Sequence, residues 1–295
     1  MPVSAPATPL EQLAAARNAD GGWGYFPGRS SWLEPTYYAK LALHPDGIST
    51  QSWNLIRSWQ LPEGGCRPNN TVKEPNWTTA LFVTLHCLRQ QSGPPFHAGL
   101  NWLLEARGAE SSLLRRAANR LWSIEKNYRP NLYGWNWFPG THSWIEPTVH
   151  AMVALQLALR LNPGLDASLQ DRLRARLALA QEMLLARRCN DGGWNYGAPY
   201  SLEVELPSYP ETTALALIGL QQARLREFDR SLDKATAWLE SRPSPLAEAW
   251  LHLALRIHGR PVPPLRAIST RDNLLLALRE LAAGPNFRLL KVGSA

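Results

Sequence analysis

GWGYFPGRSSWLEPTYYAKLAL at residues 22–43 recurs as GWNWFPGTHSWIEPTVHAMVAL at residues 134–155. Of the 22 aligned positions, 13 are identical, at a constant offset of 134 − 22 = 112 residues. Shared composition does not produce so many matches in one register, and self-similarity at a fixed spacing is typical of repeat architectures. The sequence therefore predicts a fold built from repeated units.

Two weaker copies follow the same order of a glycine turn and then a helix. One turn begins at residue 63 and leads into a helix at 76–81, and the other begins at residue 191 and leads into 211–216. Aligning the threonine near each helix start gives one column: Thr36, Thr78, Thr148 and Thr213. Two positions earlier the four copies carry Glu34, Asn76, Glu146 and Glu211.

Helical periodicity dominates, and no stretch alternates with period two over the length of a strand. The pattern predicts about twelve helices, near 9–17, 34–45, 49–60, 76–91, 96–107, 111–126, 146–161, 166–188, 210–226, 230–241, 244–258 and 269–283. Some are amphipathic and charged, whereas the helices that open with Pro, Thr or Trp are apolar nearly all round. Because helices of the first kind suit an outer layer and those of the second kind are buried, the alternation predicts two layers.

The length of 295 residues and the spread of the copies predict a single domain over 1–295, with short tails at about 1–8 and 284–295. No apolar run approaches the roughly 18 residues of a membrane-spanning helix. Three cysteines without paired spacing are typical of a reducing compartment, so we expect a cytoplasmic protein.

The formal net charge is +7 at pH 7, and its arginines fall mostly on helices rich in Leu and Ala. We interpret them as a solvated helix face; contact with an anionic membrane surface or with an acidic protein partner is the alternative. No recognition motif accompanies the charge, so we expect no nucleic-acid partner.

The segments ARNADGGWGYFPG, QLPEGGCRP and ARRCNDGGWNYG resemble the QW repeat of squalene and oxidosqualene cyclases, which protein prenyltransferase β subunits share in looser form. The chain keeps the repeat's Gln only at Gln60 and has Arg17 and Arg188 in the matching places. The resemblance covers most of residues 9–226 and fades toward the C-terminus. It implies an all-α fold, an α/α toroid in which an inner ring of helices surrounds a cavity and an outer ring packs behind it.

The chain lacks the catalytic and metal-binding motifs of the families that it resembles. The chain contains no Asp-x-Asp-Asp motif, whose middle acid protonates the polyene in class II terpene cyclases, and no Asp-rich metal-binding helix of class I enzymes. The Asp-x-Cys and later His that bind zinc in prenyltransferase β subunits are absent as well. We therefore expect no metal and no cofactor.

The glutamate column is the main candidate for chemistry. Glu34 and Glu146 are predicted at the N-cap before a proline, where Ser, Thr, Asn and Asp are preferred, so their carboxylates suggest another purpose. Helical spacing places His150 on the face of Glu146. The candidate catalytic residues are Glu146, His150, Glu34 and Glu211. The structural interpretation is that each glutamate stabilises the positive end of its own helix, by roughly 0.3–1 kcal/mol.

Aromatic residues at the helix entrances form a second candidate group. The resemblance implies a cavity whose aromatic rings stabilise carbocations through their π faces. The candidate ligand-binding residues are Trp32, Tyr37, Tyr38, Trp77 and Trp144. The structural interpretation is that these rings hold helices together.

Three functions fit the sequence. The leading hypothesis is a squalene-cyclase-like protein that binds a polyisoprenoid or another long apolar ligand and cyclises it through a glutamate acid. The second is a non-catalytic toroid scaffold that binds a lipid tail, a peptide or a protein partner, because fold alone does not determine function. The third is the β-like subunit of a heterodimeric prenyltransferase.

Overall fold

The computed structural model describes residues 8–43, 49–112, 129, 131–201, 204–223 and 228–293. Over these ranges the α-helices are α1 (Pro9–Ala15), α2 (Leu33–Leu43), α3 (Thr50–Ser58), α4 (Thr79–Leu88), α5 (Pro94–Glu105), α6 (Ile145–Leu161), α7 (Ala167–Ala186), α8 (Pro210–Gly219), α9 (Phe228–Glu240), α10 (Pro245–Ile257) and α11 (Asn273–Ala283). Short 3-10 helices span Ala109–Ser111 and Pro285–Leu290, and β1 (Tyr200–Ser201) pairs antiparallel with β2 (Val204–Glu205). Most of the predicted helix at 111–126 lies outside the described residues.

An inner ring of helices closes on itself. In the described part of the chain, α2 packs against α4, α4 against α6, α6 against α8, α8 against α10 and α10 against α11, and α11 returns to α2. These helices have buried residues on every side, as α6 shows with an unbroken buried run at 147–158. A helix that is apolar all round needs partners on all sides, which a ring position provides.

The remaining helices form the outer layer. Helix α1 packs against α11 and α2, α5 against α4, α7 against α6, and α9 against α8 and α10. Helix α3 reaches the ring through Trp53, whose indole stacks on Phe82 of α4 with 6.5 Å between ring centroids. Two concentric layers of helices confirm the predicted all-α, α/α toroid architecture.

The C-terminal third departs from strict alternation of inner and outer helices. Helices α10 and α11 are consecutive in the chain and both belong to the inner ring, joined by an extended connection over residues 258–272. A buried carboxylate ties the pair together: Glu248 of α10 accepts from Arg279 of α11 at 2.7 Å and from Arg266 of the connection at 2.9 Å. Because α10 and α11 are both inner helices, the last helix, α11, contacts the first inner helix, α2, and the ring closes.

Each aromatic turn is attached to the outer layer by the same hydrogen bond. The indole Nε1 of Trp23 donates to Leu13 O at 2.7 Å, that of Trp135 to Leu103 O at 2.8 Å, and that of Trp194 to Leu184 O at 2.6 Å. All three acceptors are carbonyls in the last turns of an outer helix, where backbone oxygens lack helical partners. The tryptophans thereby connect the outer helices α1, α5 and α7 to the turns that lead into inner helices α2, α6 and α8.

Residues 285–292 cross the end of the ring at which the inner helices finish. Asn286 Nδ2 donates to Leu41 O (3.1 Å) and Ala42 O (3.2 Å) at the end of α2. Farther along, Leu290 O accepts from Gln221 Nε2 (2.9 Å) and Lys291 O accepts from Arg160 of α6 (2.8 Å). The segment expected to be a tail is therefore packed across this end of the toroid.

Candidate functional site

The four copies are aligned by one recurring contact. In three copies the backbone N–H of the tryptophan in the glycine turn donates to a threonine hydroxyl of the next inner helix. In the second copy the backbone N–H of Cys66 does so. The pairs are Trp23 with Thr36 (2.9 Å), Cys66 with Thr79 (2.8 Å), Trp135 with Thr148 (3.0 Å) and Trp194 with Thr213 (2.8 Å). The second copy therefore uses Thr79, and the predicted alignment on Thr78 is displaced by one residue.

This correction changes the residue that shares the column with the glutamates. With Thr79 in place, the position two residues earlier is Trp77, not Asn76. Asn76 is 1% exposed, and its Oδ1 accepts from the N–H (3.0 Å) and hydroxyl (2.8 Å) of Thr78. Asn76 thus stabilises the entrance of α4, and an aromatic ring takes the place of the acid.

Glu34 and Glu146 lie in the first turns of α2 and α6 and not at the predicted N-caps. Helix α2 begins at Leu33, and the N-cap of α6 is Trp144. A first-turn glutamate interacts favourably with the helix dipole, so capping preferences provide no argument for a special role. The case for chemistry must come from the surroundings of each carboxylate.

Backbone hydrogen bonds link neighbouring copies around the end at which the inner helices begin, which we call the mouth. The donor in each bond is a backbone N–H at, or just before, the start of an inner helix. The acceptor is a backbone carbonyl in the turn of the neighbouring copy. It lies two residues after the tryptophan of that turn, or two residues after Cys66 in the second copy. The pairs are Leu33 to Pro68 (2.8 Å), Trp77 to Trp137 (3.4 Å), Ile145 to Tyr196 (3.0 Å) and Asn273 to Tyr25 (2.8 Å). The last pair closes the ring between its final helix and its first loop.

Glu34 is the acid whose environment is most altered. Its Oε2 accepts a 2.5 Å hydrogen bond from Tyr25 Oη, and no cation among the described residues pairs with it. Burial, reinforced by the negative charges of Glu146 and Asp272, raises the pKa of Glu34 to about 7, while the Tyr25 hydrogen bond opposes the rise. This carboxyl group therefore keeps its proton to a higher pH than an exposed glutamate does.

Of the other predicted catalytic residues, Glu146 lies near Glu34 and beside His150, whereas Glu211 has a different partner. Glu146 is close enough for its charge to raise the pKa of Glu34, and its Oε1 lies 3.8 Å from Nε2 of the buried His150. Glu211 accepts instead from Ser244 Oγ at 3.1 Å. Asp272, which sequence reasoning did not select, joins the acids because α11 returns to α2.

An aromatic cluster of Tyr38, Trp77, His150 and Trp250 occupies the inner side of the ring below these acids. Ring centroids are 5.1 Å apart for Trp77 and His150, 5.8 Å for Tyr38 and Trp250, and 6.3 Å for His150 and Trp250. Burial, with help from Tyr37 and from the charges of Glu34 and Glu146, raises the pKa of Tyr38. Trp250 was missed because residues 245–257 were not recognised as an inner helix.

The remaining predicted aromatic residues lie in three different settings. Tyr37 is 1% exposed and packs edge-on against Tyr38 with centroids 4.7 Å apart. Trp32 is partly buried, with its ring 5.8 Å from that of Tyr25. Trp144 is 38% exposed at the entrance of α6. Only Tyr38 and Trp77 of the predicted ligand-binding set belong to the aromatic cluster.

Exposed large hydrophobic side chains concentrate at the mouth. Of the ten found among the described residues, all but Leu10 lie in loops that lead into inner helices or in the first turn of one. This apolar rim consists of Phe26, Phe138, Trp144, Tyr196, Val204, Leu206, Tyr209, Leu246 and Ile268. Exposed apolar side chains gathered at one end of a fold are typical of a surface that contacts a ligand, a membrane or a partner.

Comparison with solved structures identifies the architecture. Over 96% of its length the chain superposes on ent-copalyl diphosphate synthase from Streptomyces platensis, with a TM-score of 0.53, 17% identity and coverage of 45% of that chain. It also superposes on the type II terpene cyclase MstE from Scytonema, solved with its substrate geranylgeranyl dihydroxybenzoate, with a TM-score of 0.50, 17% identity and coverage of 95% and 81% of the two chains. The fold is that of the type II terpene cyclases.

One sequence relative matches a short part of the chain. Drimenyl diphosphate synthase from Streptantibioticus cattleyicolor is 42% identical over 60 residues, which is 19% of this chain and 11% of that protein. The chain therefore matches only a small part of the length of that relative. No protein-family model matches the chain.

The cysteines and the other metal-binding residue types do not gather into a site. Over the described ranges no three His, Cys, Asp or Glu side chains are placed to hold a metal ion. Burial raises the pKa of the Cys66 and Cys189 thiols and that of Cys87 to about 12, so these thiols are protonated at neutral pH. Among the described helices, none is both long and apolar enough to cross a membrane.

Proposed function

We propose that the toroid binds a polyisoprenoid at its mouth, against the aromatic cluster, and cyclises it with Glu34 as the acid. The observation that carries the proposal is the position of Glu34: a carboxyl group with a pKa of about 7 stands one helical turn before Tyr38. The fold shared with enzymes such as MstE, which was solved with a geranylgeranyl-bearing substrate, supports the choice of ligand class.

In this reaction the O–H bond of Glu34 breaks while a C–H bond forms at the terminal alkene. The electron pair of the next double bond then forms a ring C–C bond, and the cation moves along the chain. Loss of a proton from the final cation to the Glu34 carboxylate gives the neutral cyclic product and restores the acid. Protonating an alkene is strongly uphill, so the enzyme must stabilise the cation more than the ground state. The π faces of Tyr38, Trp77 and Trp250 are suited to that task.

The experiment is an incubation of the purified protein with all-trans prenyl diphosphates and prenyl alcohols of 15, 20 and 30 carbons, followed by mass spectrometry. Wild type should give cyclic products, and Glu34→Gln should lose them while retaining ligand. Glu211→Gln is the matched control, because Glu211 bonds to Ser244 and should leave turnover unchanged. Equal turnover in wild type and Glu34→Gln would overturn the assignment of the acid.

Binding of a prenyl ligand without any cyclic product would favour the non-catalytic scaffold. Failure to bind any of these ligands would exclude both lipid-binding functions. A helical partner that co-purifies with the chain and confers prenyl transfer would favour the β-like subunit.

The apolar rim supports a second part of the proposal, peripheral contact with an anionic membrane. Trp144, Tyr196 and Tyr209 are of the types that settle at membrane interfaces, and Arg29 and Arg271 are exposed beside rim residues Phe26 and Ile268. A long apolar substrate dissolved in the bilayer could then enter the mouth without crossing water.

A further inference from the structure

Tyr25 occupies a special place among the residues that follow the aromatic turns. It lies between the turn at Trp23 and the start of α2, and its hydroxyl donates the 2.5 Å hydrogen bond to Glu34 Oε2. The corresponding side chains in two other copies are Trp137, which packs edge-on against Trp77, and Tyr196, whose ring is tilted by 37° against that of Tyr209. In the first copy the hydroxyl at this position is bonded to an acid whose pKa is raised.

Asn273, the first residue of α11, holds the backbone around Tyr25. Its N–H donates to Tyr25 O at 2.8 Å and its Nδ2 donates to Gly24 O at 2.9 Å. On the other side of the loop a Cβ at Gly24 would come within 2.5 Å of Arg29 O, so the backbone there is tightly confined. The hydrogen bond to Gly24 joins parts of the chain that are 249 residues apart.

The surroundings of the Asn273 side chain indicate that its role is to donate a hydrogen bond through Nδ2, and not to accept one through Oδ1. The side chain is fully buried, and its Oδ1 has no hydrogen-bond partner in the described part of the chain. A buried acceptor without a partner costs roughly 1–3 kcal/mol. An apolar residue would avoid that cost, but it could not donate to Gly24 O.

We propose that Tyr25 is a positioning residue for the Glu34 acid and that Asn273, through its two hydrogen bonds, holds Tyr25 in place. This inference rests on the proposed function. Because Oε2 accepts from Tyr25, the acidic proton of Glu34 resides on Oε1, the oxygen that remains free to protonate a ligand. The same hydrogen bond stabilises the carboxylate that is left when the proton departs.

Tyr25 itself keeps its proton. Burial and the charges of Glu34, Glu146 and Asp272 raise the pKa of Tyr25, so its hydroxyl donates and does not ionise. Those carboxylates also raise the pKa of Glu34, whereas Tyr25 lowers it. Removing the hydroxyl should therefore weaken the acid.

The test is a carbon-13 NMR titration of the glutamate carboxyl groups in the full-length protein, with the Glu34 signal assigned by its loss in Glu34→Gln. Tyr25→Phe should raise the pKa of Glu34 by about one unit, because a hydrogen bond to the charged form is lost. Asn273→Ala should shift it in the same direction, and Asn273→Ser is the second variant should the alanine protein fail to fold. Tyr209→Phe, at the rim, is the control and should leave the titration unchanged.

A Glu34 titration that is identical in wild type and Tyr25→Phe would overturn the proposal. So would an Asn273 variant that melts at a lower temperature but titrates as wild type does, because that is the result of a purely structural role. The readout needs no substrate, so a shifted titration in a protein without turnover would contradict the proposed function and leave the positioning role standing.

Discussion

Tyr38 and His150 meet on the inner side of the ring, with Tyr38 Oη 3.5 Å from His150 Nε2. The two residues are 112 positions apart, the same offset that relates the two strongest copies of the sequence. Equivalent positions of α2 and α6 therefore face each other, although α4 stands between these helices in the ring. Aromatic side chains from α2, α6 and α10 thus contact one another on the inner side of the ring.

Glu34→Gln should stabilise the protein at pH 8. The folded-state pKa of Glu34, about 7, lies above its ordinary value of 4.5. The unfolded chain therefore releases this proton first as pH rises, and stability falls between pH 4.5 and 7. Chemical denaturation at pH 8 should show that the free energy of unfolding of the variant is higher by on the order of 2 kcal/mol. This gain is smaller than the whole pKa shift implies, because the Glu34 side chain is only partly buried and solvent screens its charge. A variant less stable than wild type at pH 8 would contradict the raised pKa.

His86→Leu should reduce the sensitivity of the fold to acid. Burial lowers the pKa of His86 to about 4, and its Nε2 is buried without a hydrogen-bond partner among the described residues. The unfolded chain takes up this proton first as pH falls below 6.5, so wild-type stability falls between pH 6.5 and 4. Between pH 7 and 4, wild type should lose about 3 kcal/mol more than the variant in denaturant titrations. The control is His142→Leu, at an exposed position, and an equal effect there would refute the prediction.

Gly193→Ala should destabilise the third aromatic turn. The added Cβ would come within 2.5 Å of Ser208 Oγ and 2.6 Å of Thr213 Oγ1, the hydroxyl that aligns this copy. We expect a loss of about 2 kcal/mol or more in thermal or chemical melts. Gly164→Ala is the matched control because, its chain neighbours aside, no atom of the described residues lies within 4 Å of the added Cβ. Gly259 would be a poor control, since its φ of 72° is itself strained for alanine. Equal melting of the two variants would show that the turn tolerates the methyl group.

Phe26→Ser combined with Phe138→Ser should weaken binding to anionic vesicles. Both side chains belong to the apolar rim, with 51% and 41% exposure, and each should insert at the interface. Co-sedimentation with vesicles of phosphatidylserine and phosphatidylcholine should fall at least tenfold. Leu10→Ser, an exposed apolar residue away from the rim, should sediment as wild type does. Membrane contact through this face would be contradicted if the wild-type protein did not sediment with the vesicles. It would also be contradicted if only Leu10→Ser reduced the amount of protein that sediments with them.

Much of the architecture follows from local patterns. The recurrence of residues 22–43 at 134–155 predicts a repeated helical unit, and the apolar helix faces predict which layer each helix joins. Gly21 and Gly192 have φ of 90° and 93°, as their repeated Gly-Gly turns predict. These features depend on residues close in sequence, so one sequence suffices to find them. The C-terminal helices were harder, because α10 and α11 have lost the turn that marks the other copies.

The candidate site depends on contacts that no local pattern contains. The sequence by itself determined the toroid and the presence of glutamates at the starts of its inner helices. Only the tertiary structure decided that Trp77 replaces an acid, because a one-residue shift in the second copy becomes visible through the hydrogen bond of Thr79. It also brought Tyr25, Glu146 and Asp272 around Glu34, since the acidity of a carboxyl group is set by burial and nearby charges from other helices.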